Sequence, residues 1–72
     1  MARHEILSEV TGNVWKIEAS VGDELGEEDV IMILESMKME IPVEAPCAGR
    51  VAEIRVAEGD SIEEGAVLAV VE

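Results

Sequence analysis

Residues in the first half of this chain return 37 positions later in the second, and no other feature limits the possible folds so strongly. Gly12 maps to Gly49, Val14 to Val51, Ile17 to Ile54, Gly22 to Gly59 and Asp23 to Asp60. Glu27 maps to Glu64, Val30 to Val67 and Glu35 to Glu72, with Leu25 and Ile62, and Ile33 and Val70, as conservative pairs in the same frame. A chain of 72 residues can bury one small core. Two half-repeats, about 12–35 and 49–72, therefore have to build a single domain over 1–72.

Each half reads as strand, tight turn, strand. Gly12 to Ala19 and Gly49 to Ala57 carry Val and Ile and lead to a Gly-Asp turn, at Gly22-Asp23 or Gly59-Asp60. The glycine can take φ > 0, and the aspartate can bond nearby backbone. Apolar strands follow at Val30 to Leu34 and Val67 to Val71. Alternation within Val14 to Ile17 is imperfect, which predicts a bulge. No segment has a 3.6-residue apolar stripe of helical length.

Neither half can bury its apolar face alone, and equivalent sequences pack most simply about an approximate two-fold axis. The expected fold is all-β: a flattened barrel or sandwich of about eight short antiparallel strands with an internal pseudo-two-fold repeat. The hairpin 36–48 joins the halves and has only the chain ends as its counterpart. It is thus expected to project from one pole, with Lys38 at an exposed tip, while Met1 and Glu72 lie near the other.

Composition removes several function classes. Hydrophobic residues make up 49% of the chain, enough to oppose disorder, and Trp15 is the only aromatic. A formal net charge of −12, with only five Lys and Arg, argues against nucleic acid and anionic membrane as partners. No apolar run approaches the roughly 20 residues that span a bilayer, and the start of the chain lacks the apolar stretch of a signal peptide. Cytoplasmic localisation is expected. Cys47 is the only cysteine, so no internal disulfide can form, and it reads as a small apolar filler. His4 has no second ligand at metal-binding spacing, and neither a metal site nor a catalytic residue is expected.

On its own, a lysine at a hairpin tip is an ordinary solvated charge. Its company is unusual. Met37 and Met39 flank Lys38 where a turn normally carries Gly, Asn, Asp or other polar residues. Exposed methionines suit an adaptable recognition surface.

The run Glu35-Ser36-Met37-Lys38-Met39-Glu40 resembles the Met-Lys-Met signature of biotin attachment domains, usually preceded by Glu-Ala. Ala45-Pro46-Cys47-Ala48-Gly49-Arg50-Val51 is similar to that family's Ala-Pro-Met-Pro-Gly-x-Val segment, and Thr11-Gly12-Asn13-Val14, Gly22-Asp23 and Gly59-Asp60 sit in its frame. The resemblance covers nearly the whole chain and implies the biotinyl/lipoyl barrel-sandwich hybrid. Departures are Ser36 for Ala, and Cys47-Ala48 for Met-Pro. Neither removes the amine or its flanking methionines.

The resemblance also implies a function: a non-catalytic biotin carboxyl carrier protein or subunit with covalent biotin on Lys38 and Met37 and Met39 as the flanking motif. A biotin protein ligase would make biotinyl-adenylate, and the ε-amine of Lys38 would attack its carbonyl to form an amide. Lysine amines are mostly protonated at neutral pH, so assisting deprotonation falls to the ligase. The carboxyl group would then pass between biotin carboxylase and carboxyltransferase. Lysine stem plus biotin chain offers an arm on the order of 12–15 Å, too short to join distant sites unless the domain also moves. An insertion like the thumb of some acetyl-CoA carboxylase carriers is missing between Gly12 and Gly22, so the chain resembles the thumbless stand-alone biotinyl proteins. If the sequence is complete, movement is expected to come from diffusion or from docking within a larger assembly, and the isolated domain is expected to be a monomer.

Lys16, the only competing lysine, lies beside Trp15 in a Val/Ile strand and maps onto Glu53, as a solvent-facing strand charge would. Met32 is expected in the core, and Trp15 at the core or its rim. Glu35, Glu40 and Glu44 read as solvated strand charges, with Glu35 or Glu40 able to serve ligase recognition. Two other functions stay open: a lipoyl-type acyl carrier, whose lysine is typically flanked by Asp and Ala, and an unmodified interaction module of the same fold. Sequence does not name the carboxyl acceptor, which the partner enzyme reads.

Overall fold

Eight strands follow one another in the computed structural model, which describes residues 3–72. They are β1 (His4–Leu7), β2 (Gly12–Ile17), β3 (Glu24–Leu25), β4 (Val30–Ser36), β5 (Met39–Glu44), β6 (Gly49–Ile54), β7 (Ser61–Ile62) and β8 (Val67–Val71). The expected all-β sandwich of eight short antiparallel strands is the observed one. One four-stranded sheet has the order β1-β8-β6-β3, and the other β5-β4-β2-β7. In each sheet the two central strands come from one half of the chain and the two edge strands from the other. Neither half can complete a sheet alone, which is why the repeat folds as one unit.

The two-fold frame reaches further than the half-repeats 12–35 and 49–72. Shifted by the same interval, His4–Leu7 of β1 falls on Ile41–Glu44 of β5, and the β1/β8 pairing is the counterpart of β5/β4. These strands share little but the apolar pair Ile6 and Val43, so residue matching does not reveal them. Strand bounds also differ: β2 ends at Ile17, not Ala19, and β6 at Ile54, not Ala57, whereas β4 runs on to Ser36. Backbone bonding continues past β2, with the amides of Glu18 and Ala19 both donating to the Ile31 carbonyl at 2.9 and 3.0 Å.

The expected Gly-Asp turns fasten the halves together. Gly22 and Gly59 have φ of 96° and 92°, the left-handed region that other residues enter only with strain. The Gly22 amide donates to the Val51 carbonyl at 2.8 Å, and the Asp23 carbonyl accepts from Val51 N–H at 2.9 Å. Gly59 and Asp60 make the same two bonds to Val14 at the same distances. Inside each turn the carboxylate accepts a hydrogen bond from a backbone N–H, Asp23 from Ser20 and Asp60 from Ala57, both at 2.9 Å.

The expected bulge is present: the β2/β4 register shifts between Val14 and Lys16, and the β6/β8 register between Val51 and Glu53. The extra residue in β2 is Trp15, which is half-exposed and belongs neither to the core nor to the partly buried side chains packed against it. Val14, Val51, Ile31, Met32, Leu34, Leu68 and Val71 fill the space between the sheets and are almost wholly buried, so Met32 is core as expected. Removing apolar area from water at roughly 25 cal/mol per Å² is the main force closing the two sheets on one another.

Val70 is buried but lies outside that cluster. In register it is flanked by Glu5 and Glu53, as its counterpart Ile33 is flanked by Pro42 and Lys16. Long charged side chains thus stand beside apolar positions on the outer faces, their stems available to cover them.

Candidate functional site

Lys38 occupies the turn of the β4/β5 hairpin. The ladder pairs Leu34 with Ile41, Glu35 with Glu40 and Ser36 with Met39, leaving Met37 and Lys38 as a two-residue loop. Their φ angles are 53° and 66°. Two positive values in a two-residue hairpin loop are the signature of a type I′ turn, which normally selects Asn-Gly. Left-handed backbone at a residue with a Cβ costs roughly 1–2 kcal/mol, so this turn holds its side chains at a local expense.

That expense puts three side chains in solvent: Met37 is 92% exposed, Met39 is 63% exposed, and Lys38 is exposed between them. Leu34, buried in the core just before the turn, anchors the hairpin from which they project. Its other end, at Val30 and Glu44, leads through residues 45–48 to Gly49, against which Glu72 packs. Glu72 therefore lies toward the end remote from the tip. Met1, expected near it, is outside the described residues.

The hairpin is clamped just below its turn. The Ser36 hydroxyl donates to the Thr11 carbonyl at 2.8 Å, and the Thr11 hydroxyl accepts from Glu64 N–H at 3.2 Å. Gly12 lies so close to the Glu35 carbonyl and Ser36 Cβ that a side chain there would collide. Sequence reasoning missed this clamp; its one visible signal was Ser36, which stands where the resembling family has Ala. Glu35 and Glu40 face each other across the ladder, both exposed, and like charges so placed repel. They give the stem below Lys38 an acidic collar.

The other candidates lie elsewhere. Lys16 is exposed on β2, 3.7 Å from Glu18, as a solvent-facing strand charge. Its counterpart Glu53 is partly exposed on β6 and bonded by Arg55, at 3.3 Å, and by Arg3. Those two guanidiniums, Arg55 foremost, hold the Glu53 carboxyl below its ordinary pKa. Cys47, expected as a small apolar filler, is partly buried, and His4 is exposed on β1. A groove between the unpaired edges of β1 and β5 has Ile6, Leu34, Ile41 and Val43 in its lining, and Lys38 is not among them. The lysine thus stands on an open projection, where a large partner can reach it from several sides.

A rigid hairpin that offers one primary amine between two apolar side chains can be acylated by a second protein and can present the product away from its own surface. Residues 4–71 match the biotin/lipoyl family described as biotin-requiring enzymes. The chain belongs to the biotin/lipoyl attachment family, as its sequence resemblance implied. It is 43% identical over 67 residues to the biotinylated protein TB7.3 homolog of Mycobacterium leprae, covering 93% of this chain and 94% of that protein. It is 45% identical over 60 residues to the biotin/lipoyl attachment protein of Bacillus subtilis, covering 83% and 82%. Among solved structures, the urea carboxylase of Kluyveromyces lactis matches all of this chain with a TM-score of 0.94 and 38% identity, using 6% of its own length. The domain is thus homologous both to small stand-alone proteins and to a segment of a large carboxylase.

Proposed function

We propose that Lys38 is the acceptor for covalent biotin and that the domain carries a carboxyl group between the biotin carboxylase and carboxyltransferase sites of a biotin-dependent carboxylase. The observation that carries this reading is the type I′ turn that holds Lys38 in solvent between Met37 and Met39 in a member of this family. In the attachment step, Lys38 Nζ attacks the acyl carbonyl of biotinyl-adenylate supplied by a biotin protein ligase. The new C–N bond forms an amide, the acyl-phosphate bond breaks, AMP leaves, and the amine's protons pass to the ligase or solvent.

An exposed primary amine at a projecting tip fits this chemistry, since the ligase has to surround it. When bound, biotin supplies a ureido nitrogen that takes up and gives back a carboxyl group. This chain's residues do the rest of the carrier's work. Met37 and Met39 offer an apolar recognition surface, Leu34 anchors the hairpin, and the Ser36–Thr11 bond limits its swing. Catalysis belongs to the partners.

Intact-mass measurement of the chain purified from cells with an active biotin ligase, followed by tandem mapping, tests the reading. A biotin increment on Lys38 is expected. In Lys38→Arg, streptavidin capture should vanish while thermal unfolding stays that of the parent. A lipoyl increment would assign the domain to acyl transfer instead. An unmodified chain would leave the fold serving as an interaction module.

A further inference from the structure

We propose that Met37 and Met39 form a peroxide-sensitive modification site, whose oxidation to sulfoxide stops the ligase from acylating Lys38; the second clause rests on the reading of Lys38 given above.

The chain carries its own control for this chemistry. Met32 is 0% exposed in the core, whereas Met37 and Met39 are 92% and 63% exposed. A thioether sulfur attacks hydrogen peroxide with a lone pair; the O–O bond breaks, an S–O bond forms, and the remaining oxygen leaves as water after proton transfer. Access governs which sulfur reacts. The two-residue turn puts Met37 beyond the last ladder pair, Ser36 with Met39, and at 92% exposure almost nothing shields it. Peroxide should therefore reach the tip and not the core while the domain stays folded.

The consequence follows from polarity. Unoxidised, the tip offers two flexible apolar side chains on either side of the amine, suited to burial against a partner. A sulfoxide adds a strong hydrogen-bond acceptor, and burying it in a surface shaped for a thioether leaves that acceptor unsatisfied. A desolvation penalty of this kind corresponds to about a tenfold or greater fall in ligase kcat/KM. Lys38 itself is chemically unchanged. The block lies in recognition, and enzymatic reduction of the sulfoxides should lift it. Cys47, partly buried, does not flank the amine and is not required.

The test uses the full chain in a Cys47→Ser background, treated with hydrogen peroxide and freed of it before ligase, biotin and ATP are added. Peptide mapping should find sulfoxide at Met37 and Met39 well before Met32. Biotin incorporation should slow about tenfold or more and recover after methionine sulfoxide reductase treatment. In Met37→Leu with Met39→Leu, the treated and untreated rates should be equal, whatever the untreated rate is. Oxidation of Met32 as fast as the tip, or unchanged labelling of a chain mapped as oxidised at 37 and 39, would overturn the proposal. If the untreated chain takes no biotin, the reading of Lys38 fails and this inference falls with it.

Discussion

The two Gly-Asp turns and the Met37-Lys38 turn reverse the chain in similarly tight spaces, yet they obey opposite rules. Gly22 and Gly59 sit at positive φ without a Cβ to strain, and the turns they begin bond the two halves together. Met37 and Lys38 take positive φ with full side chains, and neither is involved in holding the halves together. Turn chemistry follows the local rule where a turn serves the fold. At Met37-Lys38 the rule is broken twice in succession and in full solvent, and this pairing of strain with exposure sets the tip apart from Glu28, whose single positive φ is imposed by a cross-half bond.

Restoring the rule at the tip should give the largest response. Met37→Asn with Lys38→Gly supplies the preferred type I′ pair, and should raise unfolding free energy by about 2 kcal/mol in urea titration while abolishing biotin incorporation. Gain of stability with loss of modification would show that the strained turn is kept for its side chains. Breaking the rule in the other place gives the reverse: Gly59→Ala, with open space around the new Cβ, should cost roughly 1–2 kcal/mol from backbone strain. Labelling of that variant should persist for as long as it is folded. If the Asn-Gly variant is less stable than the parent, the tip was never strained.

How far sequence anticipates structure divides along the same line. The repeat, the Gly-Asp turns, the bulge after Val14 and the core placement of Met32 are legible because each rests on residues whose physical preference agrees with their place. Strand β1 is hidden because His4, Glu5 and Leu7 match nothing in β5, and the backbone pairing with β8 that defines it leaves no side-chain pattern. The Ser36–Thr11 clamp joins segments 25 positions apart and becomes visible only when both are placed. Trp15 misleads by its size: as the only aromatic it suggests a core or rim anchor, whereas the bulge turns it half into solvent.

A smaller test lies inside the repeat. Gly65 has φ of 90°, and its counterpart in the first half is Glu28, at φ 73°. Both amides donate across the sandwich, Gly65 to the Ser8 carbonyl at 2.8 Å and Glu28 to the Ala45 carbonyl at 2.9 Å. The cross-half bond thus imposes one backbone shape on two different residues. Glu28→Gly should stabilise the chain by about 1 kcal/mol, since relief of left-handed strain outweighs part of the added freedom of the unfolded chain. Gly65→Ala should destabilise it by a similar amount. Thermal or urea unfolding of the pair decides the matter, and equal effects of one sign would show that the halves are not equivalent at this turn.

The smallest expected effect compares the counterparts Lys16 and Glu53. Among the described residues Lys16 has one ion-pair partner, while Glu53 has two guanidiniums and a carboxyl whose pKa they lower. A carboxyl with a folded pKa below its unfolded value binds fewer protons in the folded state, so folding gains stability as pH rises through that interval. The contribution is fully present above the unfolded pKa and is lost as pH falls through the folded one. The difference in unfolding midpoint between the parent and Glu53→Gln should therefore shrink as pH is lowered through the carboxylate range. Reading the difference matters in a chain of net charge −12, because acid also relieves repulsion among the other carboxylates and can raise total stability. Arg55 is the leading cause of the shift, so Arg55→Ala should flatten most of that pH dependence. A difference that keeps its full slope in the Arg55→Ala background would place the cause with Arg3.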